Sequence, residues 1–228
     1  MLGLKSDLIR LIPRLERLFV PLVSDLLDEM GLTRNTFDPE IRPIFPNVKV
    51  AGVAFTARTK PYRRFRKEGM AEWLEVMIEM LDSSRPGDFF VVATDDADQG
   101  ASWGELMSNA ARVRGARGVV TDGAVRDVPR ILSMPRPFPV FARAYNPADS
   151  KGRLKYVKYG IPVTCGGVNV NPGDIIFGDL DGVVCIPKAD APTIVRRGEE
   201  RIRKENAFRR AIKRGVSVSK AFAKYKVF

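Results

Sequence analysis

The chain has 228 residues, 45% hydrophobic and 29% charged, which is ordinary for a soluble globular protein and long enough to bury a sizeable core. It contains no histidine. That excludes Ser-His-Asp and Cys-His nucleophilic catalysis and histidine-ligated zinc, so acid–base work falls to carboxylates, Lys, Tyr or metal-bound water. The net charge of +11 is concentrated at one end, because residues 196–228 hold 12 Lys or Arg against 3 Glu, a net +9.

No apolar run reaches the roughly 18 residues that a membrane span needs. The opening residues lack a signal-peptide pattern, so a cytoplasmic location without membrane attachment is expected. Cys165 and Cys185 sit in apolar strand contexts and read as buried free thiols rather than a disulfide.

In chain order, Ser6 to Phe19 reads as a helix strained by Pro13. Pro21 suits a first helical position, and Pro21 to Met30 reads as a second helix closed by Gly31, with Leu22, Val23, Leu26, Leu27 and Met30 as its apolar stripe. Asp25 on that helix reads as a surface acid. Arg34 to Asn47 is a Pro-containing loop, and Val48 to Arg58 alternates as a strand, with Gly52 marking a close approach. Lys60 to Lys67 is a basic loop carrying Arg63, Arg64 and Arg66. Met70, Trp73, Leu74, Met77, Ile78 and Leu81 recur at helical spacing and read as core packed on a sheet. Asp88 to Thr94 is an apolar strand. The acids Asp95, Asp96 and Asp98 that follow lack the Gly and distal Glu of a calcium loop and read as solvated.

The central stretch is Gly104 to Asp127. Gly100 to Gly104 reads as a turn, and Glu105 to Arg114 as a helix ending before Gly115. Unpaired N–H groups at Gly104 to Met107 would then form an anion site. Gly118 to Thr121 reads as a short buried strand, turned by Asp122-Gly123, which presents Arg126 and Asp127 just past its carboxyl end. Glu105, Asp127 and Arg126 are thereby expected to converge on a small acidic ligand and a divalent cation.

Val128 to Ser133 then reads as a short helix, Val140 to Arg143 as a strand and Asn146-Pro147 as the opening of a long turn. From Arg153 to Cys185 the pattern is of successive short strands, with Asp174, Asp179 and Asp181 as turn formers. Asp190 reads as the cap of a long helix reaching about Arg214, followed by Gly215 and one more short helix over Ser217 to Tyr225. The basic tail reads as a solvated helix face. A nucleic-acid role is not favoured, since no RNP sequence or zinc finger accompanies the charge.

Glu105, then twenty residues, then Arg126-Asp127 resembles the D/E-x20-R-D signature of the RraA-like family. Val23-Ser-Asp-Leu-Leu-Asp-Glu-Met-Gly31 and Val170 to Pro187 resemble two further segments of that family, so the resemblance runs from about Val23 to Gly215. The family holds class II pyruvate aldolases acting on 4-hydroxy-4-methyl-2-oxoglutarate, and regulators of ribonuclease activity.

The resemblance implies an α/β chain with a swivelling β/β/α-type domain and flanking N- and C-terminal helices. One domain over residues 1–228 is expected, with N-terminal helices at 6–30, a core at about 48–187 and a basic helical tail at 190–228. It further implies a homotrimer or homohexamer with sites between subunits. The backbone of Gly104, Glu105, Leu106 and Met107 would hold the carboxylate of a 2-oxo acid, Arg126 would contact the keto oxygen, and Asp127 would bind Mg²⁺ or Mn²⁺. Glu105 stands where the aldolases more usually have Asp. Glu205, or Glu200 beside it, would reach a neighbouring subunit's site. The implied function is a metal-dependent lyase releasing pyruvate, with oxaloacetate decarboxylation beside it. The alternatives are a non-catalytic regulator that binds a ribonuclease or helicase, and a nucleic-acid-associated protein.

Overall fold

The computed structural model describes residues 2–62, 70–95 and 99–227. Arg63, Arg64, Arg66 and Lys67 of the basic loop, and Asp96 and Asp98 of the acidic one, lie outside them. Two helices open the chain, α1 (Leu2–Leu15) and α2 (Val20–Glu29), and α2 is closed by Gly31 at φ +78°. Strands β1 (Arg42–Pro43) and β2 (Lys49–Pro61) lead to α3 (Met70–Ser83), β3 (Asp88–Ala93) and β4 (Ala101–Trp103). Next come α4 (Glu105–Val113), β5 (Gly118–Val125), α5 (Val128–Leu132) and β6 (Val140–Tyr145). Strands β7 (Leu154–Tyr159), β8 (Val163–Cys165), β9 (Val168–Val170), β10 (Ile175–Asp179) and β11 (Gly182–Ile186) precede the terminal helices α6 (Ala191–Lys213) and α7 (Val218–Tyr225).

Nine strands form one mixed sheet in the order β1-β6-β5-β3-β2-β10-β11, with β4 paired to β5 and β7 to β2, while β8 and β9 form a separate hairpin. The centre is parallel, β2 to β3 to β5 to β6, and the flanks are antiparallel. The sheet curls into a nearly closed barrel. Residues 35–37 run along the β11 edge, where Cys185 N donates to Asn35 O (2.8 Å) and Phe37 N to Val183 O (3.0 Å), before the chain crosses to β1 at the opposite edge.

Period-2 alternation divides the core. On β3, Phe89 and Val91 point into the barrel with Val120, Phe141 and Ile176, under a plug of Phe37, Ile41, Val163 and Val168. Phe90 and Val92 point outward, to a layer shared with Met80, Trp103, Ala111 and Ile131 from the α3–α5 side. A second outer layer packs α1, α2 and α6 on Ala51, Val53, Phe177, Val184 and Ile186. With both faces covered, β3 and β5 are buried throughout, as a parallel sheet requires.

Several expectations need correction. Asp122-Gly123 is not a turn: β5 runs on to Val125 and absorbs the pair as an irregularity in its register with β6. Gly123 is there for space, since a Cβ would lie 2.8 Å from Thr94 Cγ2. Gly100 to Gly104 is not a plain turn either, because its middle is β4, parallel to β5. Asp190 occupies the position before α6, but its side chain makes no capping hydrogen bond. Asp174 and Asp179 do serve turns. Asp174 accepts from Asn171 N (2.9 Å) and Lys188 N (3.0 Å), and Asp179 from Asp181 N (2.9 Å) and Val20 N (2.9 Å).

Candidate active site

Parallel strands β4 and β5 end side by side, and their carboxyl ends deliver Gly104 and Arg126 to one place. A bond from Arg126 N to Trp103 O (3.0 Å) fixes the junction. Trp103 is 1% exposed and anchors the corner between Phe90 and Phe138. Its indole N–H donates to Ser108 Oγ (2.9 Å), which donates to Gly104 O (3.0 Å). Behind it, buried Tyr156 donates its hydroxyl to Ser102 O (2.6 Å), and burial pushes that phenol far above its ordinary range.

Asp127 follows at φ 59°, ψ 25°, in the left-handed region, which Asp tolerates better than most residues. It precedes α5, yet its side chain does not cap that helix. The carboxylate turns back to α4 instead, with Oδ2 3.4 Å from Glu105 N and 3.5 Å from Arg126 Nε. Gly104 makes room for it, since a Cβ there would stand 3.0 Å from that oxygen and 3.3 Å from Arg126 Cγ. The first bond within α4 is Ser108 N to Gly104 O (3.0 Å), so the N–H groups of Glu105, Leu106 and Met107 precede the helical ladder and face the space beside Arg126.

Arg126 is held from its other side by Asp149, whose Oδ2 lies 3.1 Å from Nη1. A bridge between Ala101 and Asp149 carries this loop to the β4 edge. Partial burial pushes the Asp149 carboxyl up, but the Lys151 N–H, the Arg126 charge and the Ser150 hydroxyl outweigh it and hold the group below the usual Asp value. Sequence reasoning missed Asp149. Its only signal was an acid in the turn after Asn146-Pro147, a weak one without knowledge that the turn returns to β4.

A cavity of about 210 Å³ opens beside these groups. Arg126, Asp127, Asp149 and Ser150 supply its polar wall, with the backbone of Trp103-Gly104 and with Leu106 and Met107 at its mouth. The opposite wall is Trp73, Leu74 and Met77 of α3. Sequence periodicity read that stripe as core. The structure gives the core role to Met80 and Leu81, leaves Met70 and Ile78 exposed, and aims the middle of the stripe at the cavity.

The expected site residues are therefore partly brought together. Gly104, Leu106, Met107, Arg126 and Asp127 meet at the cavity. Glu105 does not line the cavity: its N–H reaches Asp127 Oδ2 at 3.4 Å, and its carboxylate accepts from the Asn109 amide one turn along α4. Glu205 lies elsewhere on this chain, in a groove of about 470 Å³ between α2 and α6 with Asp25 and Phe208, its Oε2 4.0 Å from Arg209. Glu200 pairs with Arg196 at 3.2 Å. Asp95 forms a surface pair with Arg58 (2.9 Å) away from the cavity.

A fit to a divalent cation can be judged from the donor set. Among the described residues no group of three His, Cys, Asp or Glu surrounds a common point, so an all-protein cage is absent there. A half-exposed carboxylate on an open, water-accessible wall suits Mg²⁺ or Mn²⁺, which take hard oxygen donors and, for Mg²⁺ in particular, keep several waters beside one or two carboxylates.

Comparison with known proteins agrees with this architecture. Residues 20–185 match the RraA-like (Aldolase/RraA) family. A Halalkalibacterium halodurans protein whose name proposes a 4-hydroxy-4-methyl-2-oxoglutarate aldolase is 32% identical over 200 residues, 88% of this chain and 87% of that one. An uncharacterised Methanocaldococcus jannaschii protein is 37% identical over 180 residues, 75% of this chain and 85% of that one. The crystal structure of Streptomyces coelicolor RraAS2, described as an unusual member of the RNase ES inhibitor RraA family, superposes with a TM-score of 0.79 at 26% identity, covering 88% of this chain and 96% of that one. With the matched region spanning most of the barrel and the whole Gly104–Asp127 corner, the chain belongs to the RraA-like family.

Proposed function

We propose that the protein is a divalent-metal-dependent lyase that breaks a C–C bond of a 2-oxo acid and releases pyruvate. The observation that carries this reading is the junction of Arg126, Asp127 and the α4 N-terminus on one cavity wall. Asp127 would hold Mg²⁺ or Mn²⁺, with Asp149 on the same cavity wall. When bound, the cation supplies Lewis-acid polarisation of the 2-oxo acid's carboxylate and keto oxygens.

The remaining work belongs to the chain. The N–H groups of Leu106 and Met107, with that of Glu105 if its long contact to Asp127 gives way, would receive the substrate carboxylate, helped by the positive end of α4. Arg126, paired with Asp149 at 3.1 Å and near Asp127 at 3.5 Å, would offer its guanidinium to the keto oxygen that becomes negative as the bond breaks. Removing one such placed donor costs on the order of 3 kcal/mol, roughly a hundredfold in rate. Trp73, Leu74 and Met77 exclude water from the opposite side.

The site also supports a homotrimer or homohexamer. Leu106 (77% exposed) and Val113 (83%) lie seven residues apart on α4 and Tyr145 (64%) ends β6, exposed apolar groups that a second copy would cover while bringing its Glu205 or Glu200 to the mouth. The residual proton transfers would fall to that carboxylate and to water, since the chain has no histidine.

The test is a panel of 2-oxo acids, including 4-hydroxy-4-methyl-2-oxoglutarate and oxaloacetate, assayed for pyruvate with Mg²⁺, Mn²⁺ or EDTA. Metal-dependent release supports the proposal, and no turnover of any member refutes it. The second reading is a regulator that binds a ribonuclease, supported by the likeness to RraAS2. It predicts an inert panel together with inhibition of the ribonuclease.

A further inference from the structure

The charge at the carboxyl end is not evenly neutralised. In the amino-terminal half of α6, the cations are answered by acids: Arg197 and Arg201 both grip Glu29, Arg196 pairs with Glu200, and Glu199 is held by Arg14. Beyond Glu205 the acids stop. Residues 206–228 contain seven Lys or Arg and no Asp or Glu. Arg209 has the Glu205 carboxylate at 4.0 Å. Arg210, Lys213, Arg214, Lys220, Lys224 and Lys226 have no ion pair among the described residues, and all six are exposed.

These groups are held in place. Gly215 at φ +83° ends α6, Ser217 caps α7 through Lys220 N, and Ala221 and Val227 dock α7 inward at 1% and 7% exposure. What remains outside is a ledge of cations with one exposed aromatic ring on it. Phe222 is 48% exposed, with Lys226 Nζ 5.9 Å from its centroid.

We propose that this ledge, the last turn of α6 with α7, binds single-stranded nucleic acid, RNA being the form to test first. Unpaired cations on an ordered surface fit a phosphate backbone, whose affinity comes from counterion release. The exposed ring of Phe222, beside Lys226, gives an unstacked base a platform, and cations with such a ring are the combination single-strand binders use. An anionic membrane fits less well. Besides Phe222, only Val216 and Val218 among the described residues are large apolar side chains exposed at this end, and the inward residues of α7 are occupied by α6.

The test is fluorescence anisotropy of a labelled 20-nucleotide single-stranded RNA with the full chain. About four phosphate contacts give a salt slope near −3, hence an affinity loss of roughly fiftyfold between 50 and 200 mM salt. The triple variant Lys213→Glu, Lys220→Glu, Lys224→Glu is expected to lose more than tenfold, and Phe222→Ala fivefold or more, each with an unchanged circular dichroism spectrum. No binding at 50 mM salt overturns the proposal, as does binding that survives the triple variant. Equal affinity for a duplex together with indifference to Phe222→Ala overturns the single-strand assignment. Preferential binding to phosphatidylserine vesicles replaces it with a membrane surface. A triple variant that fails to fold leaves Phe222→Ala and the single-strand-to-duplex ratio to decide.

Discussion

Asp127→Asn separates a working carboxylate from a structural one. The substitution keeps the shape of the side chain and suits the backbone, because Asn shares the tolerance of Asp for the left-handed conformation found at φ 59°. Ala would add roughly 1–2 kcal/mol of backbone strain and confound the result. The carboxylate is 38% exposed, and its contacts to Glu105 N and Arg126 Nε are long, at 3.4 and 3.5 Å. Such a half-exposed pair contributes less than about 1 kcal/mol. For a chain of this size that is a melting shift under about 4 °C. Arg126 also keeps its contact with Asp149 at 3.1 Å. The catalytic loss is expected to be far larger, a hundredfold or more in kcat/KM, as both the charge that would hold the cation and its effect on Arg126 disappear. The assay is pyruvate release under a metal titration, alongside thermal denaturation. Turnover within about threefold of the parent, with the same metal dependence, would refute the reasoning and make the Arg126–Asp127 pair a structural contact.

Gly104→Ala is expected to reduce turnover by at least tenfold with a melting shift of only a few degrees, because the new methyl meets Asp127 Oδ2 at 3.0 Å and must push the carboxylate aside. Asp122→Ala is expected to unfold in urea with a loss of about 3 kcal/mol, since this buried carboxylate accepts from Thr94 N (2.7 Å), Thr94 Oγ1 (2.9 Å) and Gly166 N (3.3 Å) and its removal orphans those donors. The thiols of Cys165 and Cys185 are expected to be silent to a thiol reagent in the native protein and to react fully in denaturant, because both are buried and burial pushes the Cys185 thiol well up. The Asp149 carboxyl lies below its ordinary value, so its contribution is complete above the unfolded pKa of about 4 and lost as pH falls through the lower folded one. The Arg126–Asp149 contact should therefore persist to pH 5, checked by the Asp149 carboxyl carbon shift in an NMR titration.

Much of this arrangement was legible in the sequence because it rests on local signals. Pro21 and Gly31 bracket α2, and the spacing of Glu105 and Arg126-Asp127 put a helix start and a strand end in one neighbourhood. Long-range contact decided the rest. Asp122-Gly123 looked like a turn because its residue types suit one, but burial on both faces and the nearness of Thr94 keep it in β5. The apolar period of α3 was visible, but a helix buries the same residue types against a sheet or against a cleft, and only packing shows that Trp73, Leu74 and Met77 face the cavity. Asp149 reaches Arg126 through a single bridge to Ala101 across 48 residues, which no periodicity encodes. Glu205 sits on α6 in a groove with Asp25 and Phe208, apart from the cavity of its own chain, a placement that helix periodicity alone does not reveal.

The strip of chain at residues 35–37 is stitched along β11 and then crosses to β6 by way of β1, so one passing segment covers the outer edges of both strands. A strand edge already paired in this way offers no row of vacant amides to a stray peptide, which at β11 and β6 guards a Val- and Phe-rich interior from growing into fibres.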